Sequence, residues 1–299
     1  MIYELEKKKQ LIITRKRDGW KLFAAKSKNQ TSFYTDGMNK IDGRLAHLAA
    51  DLEEGIMLPN STLFTNEGVI DTKNEDDRGK VISLFKANEV LSLEKQRQFG
   101  FLRLIVLNIV FWKNQYHLDD AFEKQLGLMQ EFFGANRFRY IEPLQVLNMT
   151  FGEAKDLVVA KGWEGLVLYD RNFKSSYRLD GGNPERIKGC YKWKPITEDD
   201  FIVREWIPRE KDPKMAKEVV LLQIDPTTNE EFECGKLGSF SNNMRRTLAD
   251  AKYPLVMQVE FEGRYKSGKL INPILGPAEI RTDKKVQDCT APKSFKTPI

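Results

Sequence analysis

Short apolar runs broken by polar turns fill the chain, and their spacing alternates between strand and helix periods. Ile12-Ile13-Thr14 is a β-branched run that would deliver Lys16 at the end of a strand, and Asp18-Gly19 supplies the turn into Trp20–Ala25. Leu45, Leu48 and Leu52 recur at helical spacing after Asp42-Gly43, with Gly55 placed to end that helix. Phe122, Leu126, Met129 and Phe133 make a second helical stripe, closed by Gly134. Both stripes read as packing faces. Leu104–Trp112, the longest apolar stretch, is interrupted by Asn108 and too short to span a bilayer.

Thr150 and Glu153 fit a capping box before Ala154, Leu157 and Val158, and Lys161-Gly162 ends that helix with a cation and a C-cap glycine. Glu164 then stands at the mouth of an apolar strand, Gly165–Tyr169, which would aim its carboxylate from a rigid element. The polar, proline-bearing stretch Pro195–Asp200 marks a domain boundary. Beyond it, Phe201–Trp206, Val219–Ile224, Glu231–Cys234 and Leu255–Phe261 are short strands, with one helix expected over Asn243–Ala251. That pattern suggests a small OB-type β-barrel, although pattern alone does not exclude a sandwich. The expected organisation is 1–195, 200–290 and a tail at 291–299.

At 299 residues the chain is long enough for two domains, and 41% hydrophobic with 30% charged residues describes a globular protein. No apolar run of signal-peptide length follows Lys7-Lys8-Lys9, so a cytoplasmic location is expected, with no membrane partner. A net charge of +5 fits a polyanionic partner without requiring one. Cys190, Cys234 and Cys289 are widely spaced, supporting neither a zinc site nor a disulfide framework. His47 and His117 have no matched partners and carry no catalytic expectation.

Candidate chemistry resides in four separated segments: Lys16-Arg17-Asp18-Gly19, Glu164-Gly165, Lys192-Trp193-Lys194 and Arg281-Thr282-Asp283-Lys284. In order and spacing they resemble the covalent nucleotidyltransferase superfamily of ATP-dependent DNA ligases and mRNA capping enzymes, from Lys16 to about Lys285. The resemblance implies an α+β nucleotidyltransferase (adenylation) domain with antiparallel sheets, followed by a small all-β OB-fold barrel. It implies that Lys16 attacks the α-phosphate of ATP and holds AMP through a phosphoramidate, with Asp18 beside it in the motif. An attacking lysine must be a neutral amine, which desolvation or nearby cations favour. Arg15, Arg17, Lys21, Lys192 and Lys194 are candidate sources of that field, and Lys192 and Lys194 share a face on a strand.

By the same resemblance, Glu164 would hold Mg²⁺, a role suited to a hard oxygen ligand, and the more loosely matched Glu67 in Thr65-Asn66-Glu67 would bond the ribose or join the metal shell. Arg281 and Lys284 would swing over the nucleotide to orient the leaving pyrophosphate, which requires domain closure. Leu107-Asn108 stands where relatives usually carry Phe-Asp, so Leu107 would cover the adenine by apolar contact alone. Relatives also carry an arginine near Tyr34-Thr35-Asp36-Gly37, for which Arg44 is the nearby substitute. A monomer acting on nicked duplex DNA is expected, with Arg209, Lys211, Lys214 and Lys217 as candidate phosphate contacts. A capping guanylyltransferase and a non-catalytic nucleic-acid-binding protein on a ligase scaffold are the alternatives. An RNA ligase or an NAD-dependent ligase fits less well.

Overall fold

The computed structural model describes residues 1–27, 30–55, 61–72, 75–76, 78–175, 188–265 and 267–294. The chain divides into two compact units, Met1–Lys194 and Pro195–Ile299.

In the first unit, strand Gly165–Asp170 lies between Leu11–Lys16 and Cys190–Trp193 in an antiparallel three-stranded sheet. Register places Lys16 opposite Gly165 and Leu166 opposite Trp193. A second sheet runs in the order Gln30–Thr35, Trp20–Ser27, Thr62–Val69, Arg103–Trp112 and Gln115–Tyr116, and Ile141–Pro143 pairs parallel to Arg103–Trp112. Leu22, Phe64, Leu104, Val106 and Ile109 from this sheet pack with Leu45, Leu48 and Leu52 in one core. A 3₁₀ turn, Asp42–Leu45, precedes helix Ala46–Gly55. Gly134 does not end the helix Phe122–Ala135, which stops where the Asn136 N–H bonds the Phe132 carbonyl. The Thr150 capping box forms in full, and Gly162 closes helix Phe151–Lys161 in the left-handed region at φ 62°.

The second unit is built on an antiparallel sheet ordered Trp206–Arg209, Asp212–Ile224, Thr197–Val203, Leu255–Phe261 and Ile274–Ile280, with Glu231–Leu237 also pairing to Asp212–Ile224. Helix Asn242–Asp250 starts at Ser241, whose hydroxyl accepts from the Met244 N–H. The ladder does not close into the expected barrel: among the described residues, Ile274–Ile280 pairs only with Leu255–Phe261, and across an irregularity that leaves Glu279 at φ 46°. Inside, the buried Arg264 donates to Asp199 Oδ2 at 3.1 Å and lies over the Phe201 and Phe261 rings. Arg245 donates to the carbonyls of Ala216, Lys217 and Gly238, which fastens the helix to the bulged hairpin Trp206–Ile224. Of the tail expected at 291–299, residues 295–299 lie outside the described residues.

Candidate active site

Lys16 ends the first strand, and its ammonium donates to Glu164 Oε2 at 2.5 Å. Lys194 reaches the other oxygen of the same carboxylate, Oε1, at 3.1 Å. All three side chains are largely shielded, at 17%, 16% and 27% exposure. One carboxylate thus joins two cations from opposite ends of the unit's sequence; Lys194 stands just past the end of strand Cys190–Trp193, so it does not share a strand face with Lys192 as expected. The glycines flanking this site have steric reasons. A Cβ at Gly165 would stand 2.1 Å from the Trp193 carbonyl oxygen, and one at Gly19 would stand 2.3 Å from that of Gly68.

A second carboxylate comes from the larger sheet. Burial pushes Glu67 up to about 7, reinforced by the Glu164 charge and opposed by Lys16, the Gly19 N–H and Arg78. Lys21, opposite Glu67 in register, is lowered from its ordinary value by burial, with Lys192 assisting and Asp36 and Glu67 opposing. Lys16, Lys21, Glu67, Glu164, Lys192 and Lys194 therefore act on one another through contact or field. Two carboxylates, one paying a desolvation penalty that its neighbour's charge deepens, suit a divalent cation between them. Among the described residues no group of three or more His, Cys, Asp and Glu side chains is placed to hold a metal ion.

No family model matches the chain, and no curated protein does. Solved structures do. A Lig E DNA ligase, from a study of DNA binding with a minimal scaffold, superposes with a TM-score of 0.63 at 17% identity, over 91% of this chain and 93% of that one. Mycobacterial DNA ligase D, complexed with ATP and MES, gives 0.53 at 14% identity, over 94% and 92%. The chain has the ATP-dependent DNA ligase fold. A structure named Pmar-Lig gives a TM-score of 0.69 at 14% identity, over 94% of this chain and 66% of that one.

Within this ligase fold the other expected residues take varied places. The Arg15 guanidinium lies 4.5 Å from the Trp163 ring centroid, on the side of its strand that packs against helix Phe151–Lys161. Leu107 falls at a β-bulge, since Thr65 pairs with Asn108 and Asn66 with Val106, and it packs half-buried against the core. Bulges re-aim side chains, so the bulge as well as the residue type sets what Leu107 reaches. Asn108 is buried, donating to Thr65 and accepting from Ser175. Arg44 donates Nε to the Ala87 carbonyl at 2.9 Å.

Arg281 makes a two-pronged pair with Asp283, at 2.8 and 2.7 Å, and donates to Asp200 Oδ1 at 3.3 Å. Lys284 lies 3.9 Å from Asp200 Oδ2. Hydrogen bonds from Arg281 hold the Asp283 carboxyl at about 2. Asp200 had no signal in the sequence as their partner. Lys211, Lys214 and Lys217 are exposed and Arg209 half-buried along one hairpin, with Lys217 at a register shift. Burial raises Cys234 to about 11 and Cys289 to about 12, consistent with inert thiols. His47 is bonded to the Leu102 carbonyl and His117 to Asp120. No helix among the described residues is long and apolar enough to cross a membrane.

Proposed function

We propose that this protein is an ATP-dependent DNA ligase that seals 5′-phosphate/3′-hydroxyl nicks in duplex DNA through a lysine–AMP intermediate on Lys16. The observation that carries this reading is the Glu164 carboxylate shared by Lys16 and Lys194. That triad would bring a nucleophile, a phosphate-neutralising cation and an acid together at one end of a sheet, Lys16 ending one strand, Glu164 just before the next and Lys194 just after the third, which is what in-line phosphoryl transfer requires. Lys16 Nζ would form the P–N bond to the α-phosphate as the P–O bond to pyrophosphate breaks. Lys192, Lys194 and Lys21 would stabilise the charge on the transferring group. Glu164 and Glu67 would hold Mg²⁺, which when bound supplies further charge neutralisation at the phosphates.

The first unit would serve as the adenylation domain and the second, an open sheet, as an OB-type domain carrying Arg281 and Lys284 to the leaving pyrophosphate. Arg209, Lys211, Lys214 and Lys217 would contact DNA phosphates, and the protein would act as a monomer in the cytoplasm. Purified protein is incubated with Mg²⁺ and labelled ATP, GTP or NAD, followed by intact mass and a nicked-duplex sealing assay. An AMP-sized gain with ATP, together with sealing, is expected. A gain only with GTP would mean capping chemistry, and no gain with any nucleotide would favour a binding protein.

A further inference from the structure

The face of the larger sheet that carries Lys21 and Glu67 continues beyond them in cross-strand rows. Lys21, Glu67 and Ile105 form the first row, and Tyr34, Phe23, Thr65 and Asn108 the second. Ser32, Ala25, Leu63, Phe111 and Tyr116 form the third. Each row is two residues further along Trp20–Ser27 and Thr62–Val69, and three along the bulged Arg103–Trp112, so the third lies about 13 Å from the first at about 3.3 Å per residue on the regular strands. A cavity of about 390 Å³ opens over this third row. That size suits a small ring system.

Its walls have a distinct chemistry. Tyr116 is 71% exposed, and its ring meets that of Phe111 edge to face at 5.2 Å. The hairpin that presents Tyr116 turns through Lys113 and Asn114, at φ 49° and 61°, the geometry of a tight primed turn that holds its strands firmly. Ser32, Thr62 and the Tyr34 phenol supply polar groups. Among the described residues Lys26 is the one charged side chain in the lining. An exposed Tyr116 braced by a half-buried Phe111, hydroxyls and a cation select against a cationic partner and against a purely apolar one. They suit a planar polar ring on an anionic backbone.

We infer that the third row is a stacking platform for an unpaired base of the nucleic-acid strand being joined, set apart from the Lys16 site by the second row. The identity of that strand rests on the ligase reading above. The sheet would then hold a single-stranded stretch beside the joining end as well as the reacting nucleotide.

The test is fluorescence anisotropy of the full chain with two labelled duplexes, one with a plain nick and one with three unpaired nucleotides beside the joining end. Tyr116→Ala is expected to weaken binding of the unpaired substrate about 5- to 150-fold, the range for one lost base stack, and to leave the nicked duplex unaffected. Tyr116→Trp should restore it. Unchanged affinity of Tyr116→Ala for the unpaired substrate would overturn the platform. So would a raised KM for ATP in self-adenylylation by Tyr116→Ala, which would give the cavity to the nucleotide. Binding needs no catalysis, so failure of the wild type to gain AMP would count against the ligase reading and not against the platform.

Discussion

Replacing Glu67 with glutamine removes a carboxylate that burial, reinforced by Glu164, holds at about 7 against an ordinary 4.5. Below pH 4.5 the group is protonated in folded and unfolded chains alike. As pH rises, the unfolded carboxyl ionises first, so the stability associated with the protonated form drains away and is fully lost above about pH 7. Two and a half decades of pH at about 1.36 kcal/mol each give a loss of about 3 kcal/mol. Glutamine stays neutral throughout. Glu67→Gln is therefore expected to be more stable than wild type by about 3 kcal/mol at pH 8 and by under about 1 kcal/mol at pH 5. Urea unfolding in EDTA, followed by tryptophan fluorescence, reads this directly, because Trp20, Trp112, Trp163 and Trp193 lie in the first unit and only Trp206 in the second. A gain equal at both pH values, or a loss at pH 8, would refute the reasoning.

Lys16→Ala is expected to abolish the AMP-sized mass gain, and label that survives would move the nucleophile elsewhere. Arg281→Ala should slow self-adenylylation by about 10²-fold, the size of losing one preorganised donor, while sparing sealing of a pre-adenylylated nick. Equal losses in both steps would undercut its leaving-group role. Asn66 is fully buried, and among the described residues neither polar atom of its amide has a hydrogen-bond partner. Asn66→Leu should raise stability by about 1–3 kcal/mol in urea titration, and a loss would reveal a partner such as a trapped water. Gly127 lies inside helix Phe122–Ala135 and an added Cβ would meet nothing within 4 Å. Gly127→Ala should therefore stabilise by about 0.5–1 kcal/mol, visible as a raised Tm.

The segments that bear the site were legible because their chemistry and their local structure point the same way. Thr150, Glu153 and Gly162 announce their helix through caps that form as written, and Glu164 follows at the strand mouth. Helix Glu89–Phe99 was invisible for a physical reason: its buried residues are Ser92 and Gln96, so it has no apolar stripe. Gln96 is there to bond the Arg44 carbonyl and the Leu102 N–H. The strand Asp212–Ile224 extends well before the apolar run Val219–Ile224, because bulges break the alternation where Pro213, Lys214 and Lys217 stand. Bulges also decide where Leu107 sits, and no residue type in Leu104–Trp112 marks one. The side of the strand taken by Arg15 could be read from alternation with Lys16, but its stacking on Trp163 depends on tertiary packing.

The shared Glu164 carboxylate also sets a timetable. Lys16 and Glu164 are 148 residues apart in sequence, and Leu11–Lys16 cannot pair with its neighbour Gly165–Asp170 until both strands exist. At about 5–20 residues per second of synthesis, the first strand would leave the ribosome roughly 7–30 seconds before its partner. A growing chain thus carries Lys16 long before it has the carboxylate that pairs with it, and on the proposed reading would stay chemically silent until the unit is nearly finished.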